Sequence, residues 1–170
     1  LFREVARATS AAPTYFEPAL VQNISKKRSE ALIDGGVFAN DPTLAAVFET
    51  RKLGFDENEL HILSLGTGEN TRGFAYADAR NWGALGWIDP ARGAPIVSIL
   101  MQGQSSTTSY QMKRLFGPRY LRLDCKLDDA SDDLDDASPA NLAGLRREAE
   151  KIISESSAEL DAFIALLPPP

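Results

Sequence analysis

One cysteine, Cys125, stands in 170 residues, which excludes an internal disulfide and any Cys/His spacing suited to zinc. A reducing compartment is permitted by this and not required. One histidine, His61, leaves little material for a Ser-His-Asp arrangement. Its place in the middle of an expected strand, rather than at a C-terminal end, disfavours that role further. Basic residues form no stripe: 18 Lys and Arg face 24 Asp and Glu, a net charge of -6, and nucleic acid is a poor partner for such a chain. No apolar run approaches the roughly 18 residues of a membrane span.

What is present is enough for a core. Apolar residues make up 44% of a length that suits one domain. The acidic excess is local, supplied by Asp128, Asp129, Asp132, Asp133, Asp135 and Asp136, and the rest of the chain is close to neutral. That run reads as a solvated loop. It has no glycine at the sixth position of a calcium loop and no closing glutamate.

The chain opens with LFREVARAT, which has helical spacing but no capping residue ahead of it, so it reads as the inside of an element with an upstream part. Pro13 and Pro18 end that helix. A short strand is expected over 19–22, an exposed basic turn or hairpin loop over 23–30, and a buried strand over 31–33. Asp41 and Pro42 make an N-cap and N1 pair for a helix to about Leu53. LHILSL, residues 60–65, has the pattern of a strand covered on both faces. Strand, helix and buried strand predict a βαβ unit and a parallel sheet. Residues 69–91 carry no clear period and are expected to be a long loop. A helix follows from about Pro95 towards Leu115, and Gly117-Pro118 ends it. RYLRLD is then a partly exposed strand. From Ser138-Pro139, Leu142, Leu145, Ala149, Ile152, Ile153, Leu160, Phe163, Ile164 and Leu167 mark one amphipathic helix. The terminal PPP reads as a frayed tail.

Asp34 is the carboxylate of interest. It follows a strand directly, at the end where α/β sheets place ligand crevices, and Gly35 and Gly36 leave it open to approach. The competing reading is a type I′ turn, for which Asp-Gly is a strong signal. A following helix, rather than a return strand, weakens it.

Three blocks, ATSAAPTYFEP (8–18), DGGVFANDP (34–42) and LSLGTG (63–68), occur in that order. With WGALGWI, the Tyr110 region and YLRLD, they resemble the patatin-like phospholipases over essentially the whole chain. The resemblance implies a three-layer α/β/α acyl hydrolase fold with a largely parallel sheet, residues 1–170 forming the C-terminal portion of one catalytic domain. It also implies a Ser-Asp dyad in which Asp34 is the acid and Gly35 and Gly36 complete the motif. Asn40-Asp41-Pro42 departs slightly from the family's usual Asn-Asn-Pro or Asn-x-Pro, and reads as a helix cap.

A serine hydroxyl is a weak nucleophile until a positioned group takes its proton, and an aspartate of pKa about 3.9 is a poor base in water. Burial beside an apolar acyl pocket is expected to strengthen it. The nucleophile itself is missing: no G-x-S-x-G occurs, and Ser10, Ser64 and Ser98 lack flanking glycines. In the family the elbow and the oxyanion loop precede these blocks, so the chain alone is expected to be inactive and its nearest partner is that upstream half.

The expected substrate is a phospholipid or other lipid ester, with transient membrane-surface contact and no cofactor or metal. Gly66-Thr67-Gly68 is no phosphate loop, since Thr71 stands where a third glycine belongs. Phe74, Tyr76, Trp82, Leu85, Trp87 and Ile88 either pack together or line an acyl path. The alternative function is a non-catalytic lipid-binding or interaction module on the same fold.

Overall fold

The computed structural model describes residues 1–69 and 73–167. Residues 70–72, inside the expected loop, and 168–170, the expected tail, lie outside that description. Helix α1 (Phe2–Thr9) leads into strand β1 (Ala19–Asn23), which pairs antiparallel with β2 (Arg28–Leu32) in register Ala19↔Leu32 to Asn23↔Arg28. The small side chains of Ala8, Ala11 and Ala19 let α1 and its following turn settle against this hairpin, with Val21 packed on them.

The basic segment expected as a turn is therefore half strand. Glu30 explains why: its carboxylate accepts from Arg28 Nη2 at 2.8 Å, Lys26 Nζ at 3.3 Å and Asn23 Nδ2 at 3.0 Å. These pairings let a polar stretch continue the ladder. The tight part of the turn is held by Asn23 Oδ1, which accepts from Lys26 N and from Ser25 Oγ.

Helix α2 (Gly36–Ala39) and helix α3 (Thr43–Lys52) follow, then strand β3 (Ile62–Leu65). Among the described residues β3 does not share a sheet with β2; it pairs parallel with β4 (Tyr120–Leu123), Ile62↔Tyr120 through Leu65↔Leu123. The expected βαβ unit is thus corrected. The crossover runs β3 to β4 by way of the long helix Pro95–Phe116, and among the described residues parallel pairing is limited to these two strands and the bridge Glu69↔Lys126 beyond them. Residues 28–30 are polar, and every residue of β2 but Glu30 is exposed, which is unsuited to the middle of a covered parallel sheet, whereas ILSL and YLRL are suited to it.

Two short helices, α4 (Tyr76–Ala79) and α5 (Gly83–Trp87), occupy part of the segment expected as loop, and α6 (Pro95–Phe116) is one continuous helix of 22 residues. Gly117, at φ +56°, ends it as expected. The core forms where α3 and α6 cover one face of the parallel pair: Val47, Met112, Phe116 and Tyr120 are buried together, with Leu44, Leu60 and Ile62 against them.

The C-terminal helix is broken at Ser156 into α7 (Pro139–Glu155) and α8 (Ser157–Ile164). Ser138 caps α7 as expected, accepting from Asn141 N at 3.2 Å. Its buried face is polar, not the leucine stripe: Asn141, Gly144 and Glu148 are buried while Leu142 and Ile153 are exposed. That face grips the acidic loop by its backbone. Asn141 Oδ1 accepts from Ser131 N, Asn141 Nδ2 donates to the Asp136 carbonyl, and Glu148 Oε1 accepts from Asp129 N.

One face remains open. Leu63 and Leu65 alternate outward from β3 at 44% and 68% exposure. The chain exposes 12405 Å² of surface, where a compact monomer of its mass exposes about 8,200 Å².

Candidate active site

Asp34 sits two residues past the end of β2, half-buried, with its main chain anchored across the fold: Asp34 N donates to the Ala11 carbonyl at 2.9 Å. Ala11 is fully buried, so the first and second sequence blocks meet at this bond. Asp34 Oδ1 accepts from Gly36 N at 2.7 Å. Among the described residues Oδ2 takes no hydrogen bond.

The backbone after Asp34 turns into a right-handed helical turn, with Phe38 N and Ala39 N both donating to the Gly35 carbonyl, which removes the type I′ hairpin reading. The two glycines differ. A Cβ on Gly36 would lie 3.2 Å from Asp34 Oδ1, so its absence is what lets the carboxylate fold over the next turn; Gly35 has open space around it.

At the other end of this segment, Asp41 is buried just ahead of α3, whose N-cap is Pro42 rather than the expected Asp41; Asp41 Oδ1 accepts from Thr43 N at 3.0 Å and from Thr43 Oγ1. The helix begins one residue later than Pro42. Asp41 Oδ2 accepts from Arg122 Nη1 at 3.0 Å, and the same nitrogen donates to Ser64 Oγ at 2.9 Å. Arg122 Nη2 reaches Asp124 Oδ2 at 2.5 Å. Asp124 Oδ1 in turn accepts from Gly68 N at 3.1 Å, and its carboxyl group occupies the place a Cβ on Gly66 would take. GTG is therefore a turn shaped around Asp124.

This buried polar network escaped sequence reading. A signal existed: in RYLRLD the charged Arg122 and Asp124 alternate onto one face of the strand, and Ser64 is the register partner of Arg122.

The three serines singled out in the sequence and the thiol are engaged elsewhere. Ser10 Oγ donates to the Ala6 carbonyl, Ser98 Oγ to the Gly93 carbonyl, and Ser64 lies within the network. Burial pushes the Cys125 thiol up, with the Glu148 and Asp124 charges adding to it, the reverse of what a nucleophilic thiolate needs. His61 precedes β3 rather than sitting within it, at the end opposite the GTG turn, with its ring edge-on to Phe163 at 6.4 Å. No group of three or more His, Cys, Asp or Glu suited to a metal occurs among the described residues.

Trp82 lies between Phe74 at 5.3 Å and Trp87 at 5.1 Å, both edge-on, with the Arg92 guanidinium over its ring. Tyr76, Leu85 and Ile88 stay exposed beside it, and the two shallow depressions there draw no lining residue from 34–42.

Comparison with curated proteins finds patatin-like relatives. The chain is 32% identical to patatin-like protein 4 of Arabidopsis thaliana over 88% of its length, and 28% identical to patatin-like protein 1 of the same plant over 93%. The chain belongs to the patatin-like family. Patatin-like protein 2 of Oryza sativa subsp. indica adds 25% identity over 95% of the chain. The chain spans less than half the length of these patatin-like relatives: 43%, 44% and 46% respectively. No family model matches it. The mixed helices and small parallel sheet are compatible with a patatin-like α/β fold.

Proposed function

We propose that the chain is the C-terminal portion of a patatin-like lipid acyl hydrolase and supplies the acid of a Ser-Asp dyad, Asp34. The observation that carries this reading is the state of that carboxylate: one oxygen is held by Gly36 N at 2.7 Å, and the other has no hydrogen bond among the described residues. A fixed carboxylate with one open oxygen suits a base that must meet a hydroxyl from another segment.

In the proposed reaction, a serine hydroxyl from upstream of Leu1 attacks the ester carbonyl of a phospholipid or similar lipid while Asp34 takes its proton. The ester C–O bond then breaks, and the departing alcohol leaves with that proton. Water, deprotonated by Asp34, attacks the acyl-serine; the fatty acid is released and the proton returns to the serine oxygen. Residues 1–170 lack that serine, so alone they are inactive.

The large exposed surface, with Leu63 and Leu65 outward on a parallel pair, supports a covering layer contributed by the upstream half. Three layers then result. Tyr76, Leu85 and Ile88 beside Trp82 support transient contact with a lipid surface.

The test is a fluorophosphonate probe on the full-length protein followed by peptide mapping. The expected result is one labelled serine, in a G-x-S-x-G N-terminal to residue 1. An unlabelled protein, or one without that motif, contradicts the enzyme reading.

A further inference from the structure

Arg122 lies under the candidate acid's segment without touching Asp34, and we infer that it is a positioning residue for Asp34; this rests on the dyad reading above. The segment from 34 to 42 is pinned at its front by Asp34 N to the Ala11 carbonyl, and at its back by the Asp41 carboxylate on Arg122. Between these pins its ties to α6 are long: Asn40 N to Gln104 Oε1 at 3.4 Å, Asn40 Nδ2 to Ser105 Oγ at 3.4 Å, and Gln104 Nε2 to the Val37 carbonyl at 3.5 Å. Such distances mark weak bonds.

The back pin is the stiff one, because Asp41 is 1% and Arg122 16% exposed at the side chain and both are held by several further bonds. From Asp41 to Asp34 the chain makes little more than one helical turn, so a shift at Asp41 is carried to the carboxylate.

The guanidinium does a second thing. Its other nitrogen holds Asp124, which fixes Gly68 N and fills the space over Gly66. Arg122 thereby ties the back of the DGG segment, through Asp41, to the GTG turn that follows the C-terminal end of β3, where α/β crevices form. A buried and a partly buried carboxylate about one cation are costly to desolvate and poor evidence of stabilisation; geometry is what a planar, two-pronged cation contributes that an apolar side chain does not.

The test uses the full-length protein and hydrolysis of p-nitrophenyl butyrate. Arg122→Lys keeps the charge and loses the fork. It is expected to lower kcat about tenfold with KM within about twofold, as misplacement of a base does. In an Asp34→Asn background the same change is expected to lower the residual rate no further. Asp41→Asn keeps an oxygen for Thr43 and loses the ionic partner; it is expected to repeat the pattern, and it stands in if Arg122→Lys does not fold. Hydrogen exchange in the peptide covering 34–42 is expected to quicken in both.

If Asp34→Asn retains full activity, the dyad reading fails and the positioning role with it. If Asp34→Asn is inactive while the Arg122 and Asp41 variants keep wild-type kcat, the positioning role alone is overturned. The same holds if they lose the same factor in the Asp34→Asn background, lose only melting temperature, or both fail to fold. Arg122 is then a structural tie and the dyad reading stands.

Discussion

Asp34 Oδ1 and Gly36 N are 2.7 Å apart, and the carboxylate that makes this bond lies 3.2 Å from where a Cβ on Gly36 would be. The second glycine of the motif leaves the carboxylate the room it occupies. Gly36→Ala is expected to displace the carboxylate by a few tenths of an ångström and to lower esterase kcat in the full-length protein more than it lowers melting temperature. Gly35→Ala meets nothing within 4 Å, at φ -65°, and is expected to be near neutral in both. Steady-state kinetics and calorimetry on the pair check this, and equal effects at 35 and 36 contradict it.

Gly66 is predicted to be the least replaceable of the glycines near the site. A Cβ there falls 2.0 Å from the Asp124 carboxyl, which is itself held by Arg122, Gly68 N and Cys125 N. Gly66→Ala is expected to cost about 2 kcal/mol, in the range of an overpacked site. Asp124→Ala in the same background should recover part of it. Chemical denaturation of the single and double variants measures both.

Much of the element order was legible, and the reasons are local. Pro139 behind Ser138, Pro13 and Pro18, and Gly117-Pro118 act through backbone geometry that no tertiary contact overrides. The helix start was legible to within one residue, because such signals act over one turn, although the N-cap position falls to Pro42 and not to Asp41. The bond from Arg122 to Asp41 was not legible, because it joins residues 81 apart in sequence.

Strand partners were misread for the same reason. A strand's own residues report how buried it is, not which strand it lies beside, and β2 pairs with its hairpin neighbour while β3 waits for β4. The acidic run shows the limit of composition. Its aspartate side chains are largely in water as expected, yet its backbone is gripped by a polar face of α7 that periodicity assigns to leucines.

The β1–β2 hairpin carries a pH signature. Hydrogen bonds from Asn23 and Arg28, then Lys26, lower Glu30 to about 2. A depressed carboxylate contributes stability that is fully present above its unfolded value and is lost as pH falls through the folded one. The Glu30 contribution to the hairpin is therefore expected to be whole above about pH 4.5, to decline as pH falls below that, and to be lost by about pH 2. Because Glu30 is solvent-screened, the effect on global stability is expected to be small. NMR titration of the Glu30 carboxyl carbon checks it, and a midpoint near 4.5 contradicts it.

Met112 is fully buried at the centre of the α3–α6–β4 core. Met112→Ala is expected to destabilise by about 2–5 kcal/mol, read by denaturant unfolding, whereas Leu142→Ala on the exposed side of α7 is expected to change it by less than about 0.5 kcal/mol.

The central claim is that Asp34 is the dyad acid, and the most direct measurement is acyl release by full-length Asp34→Asn, with its melting temperature recorded beside it. The account predicts loss of acyl release with melting nearly unchanged, since the amide oxygen still accepts from Gly36 N and only the proton acceptor is removed. Wild-type acyl release from a normally folded Asp34→Asn protein would contradict it.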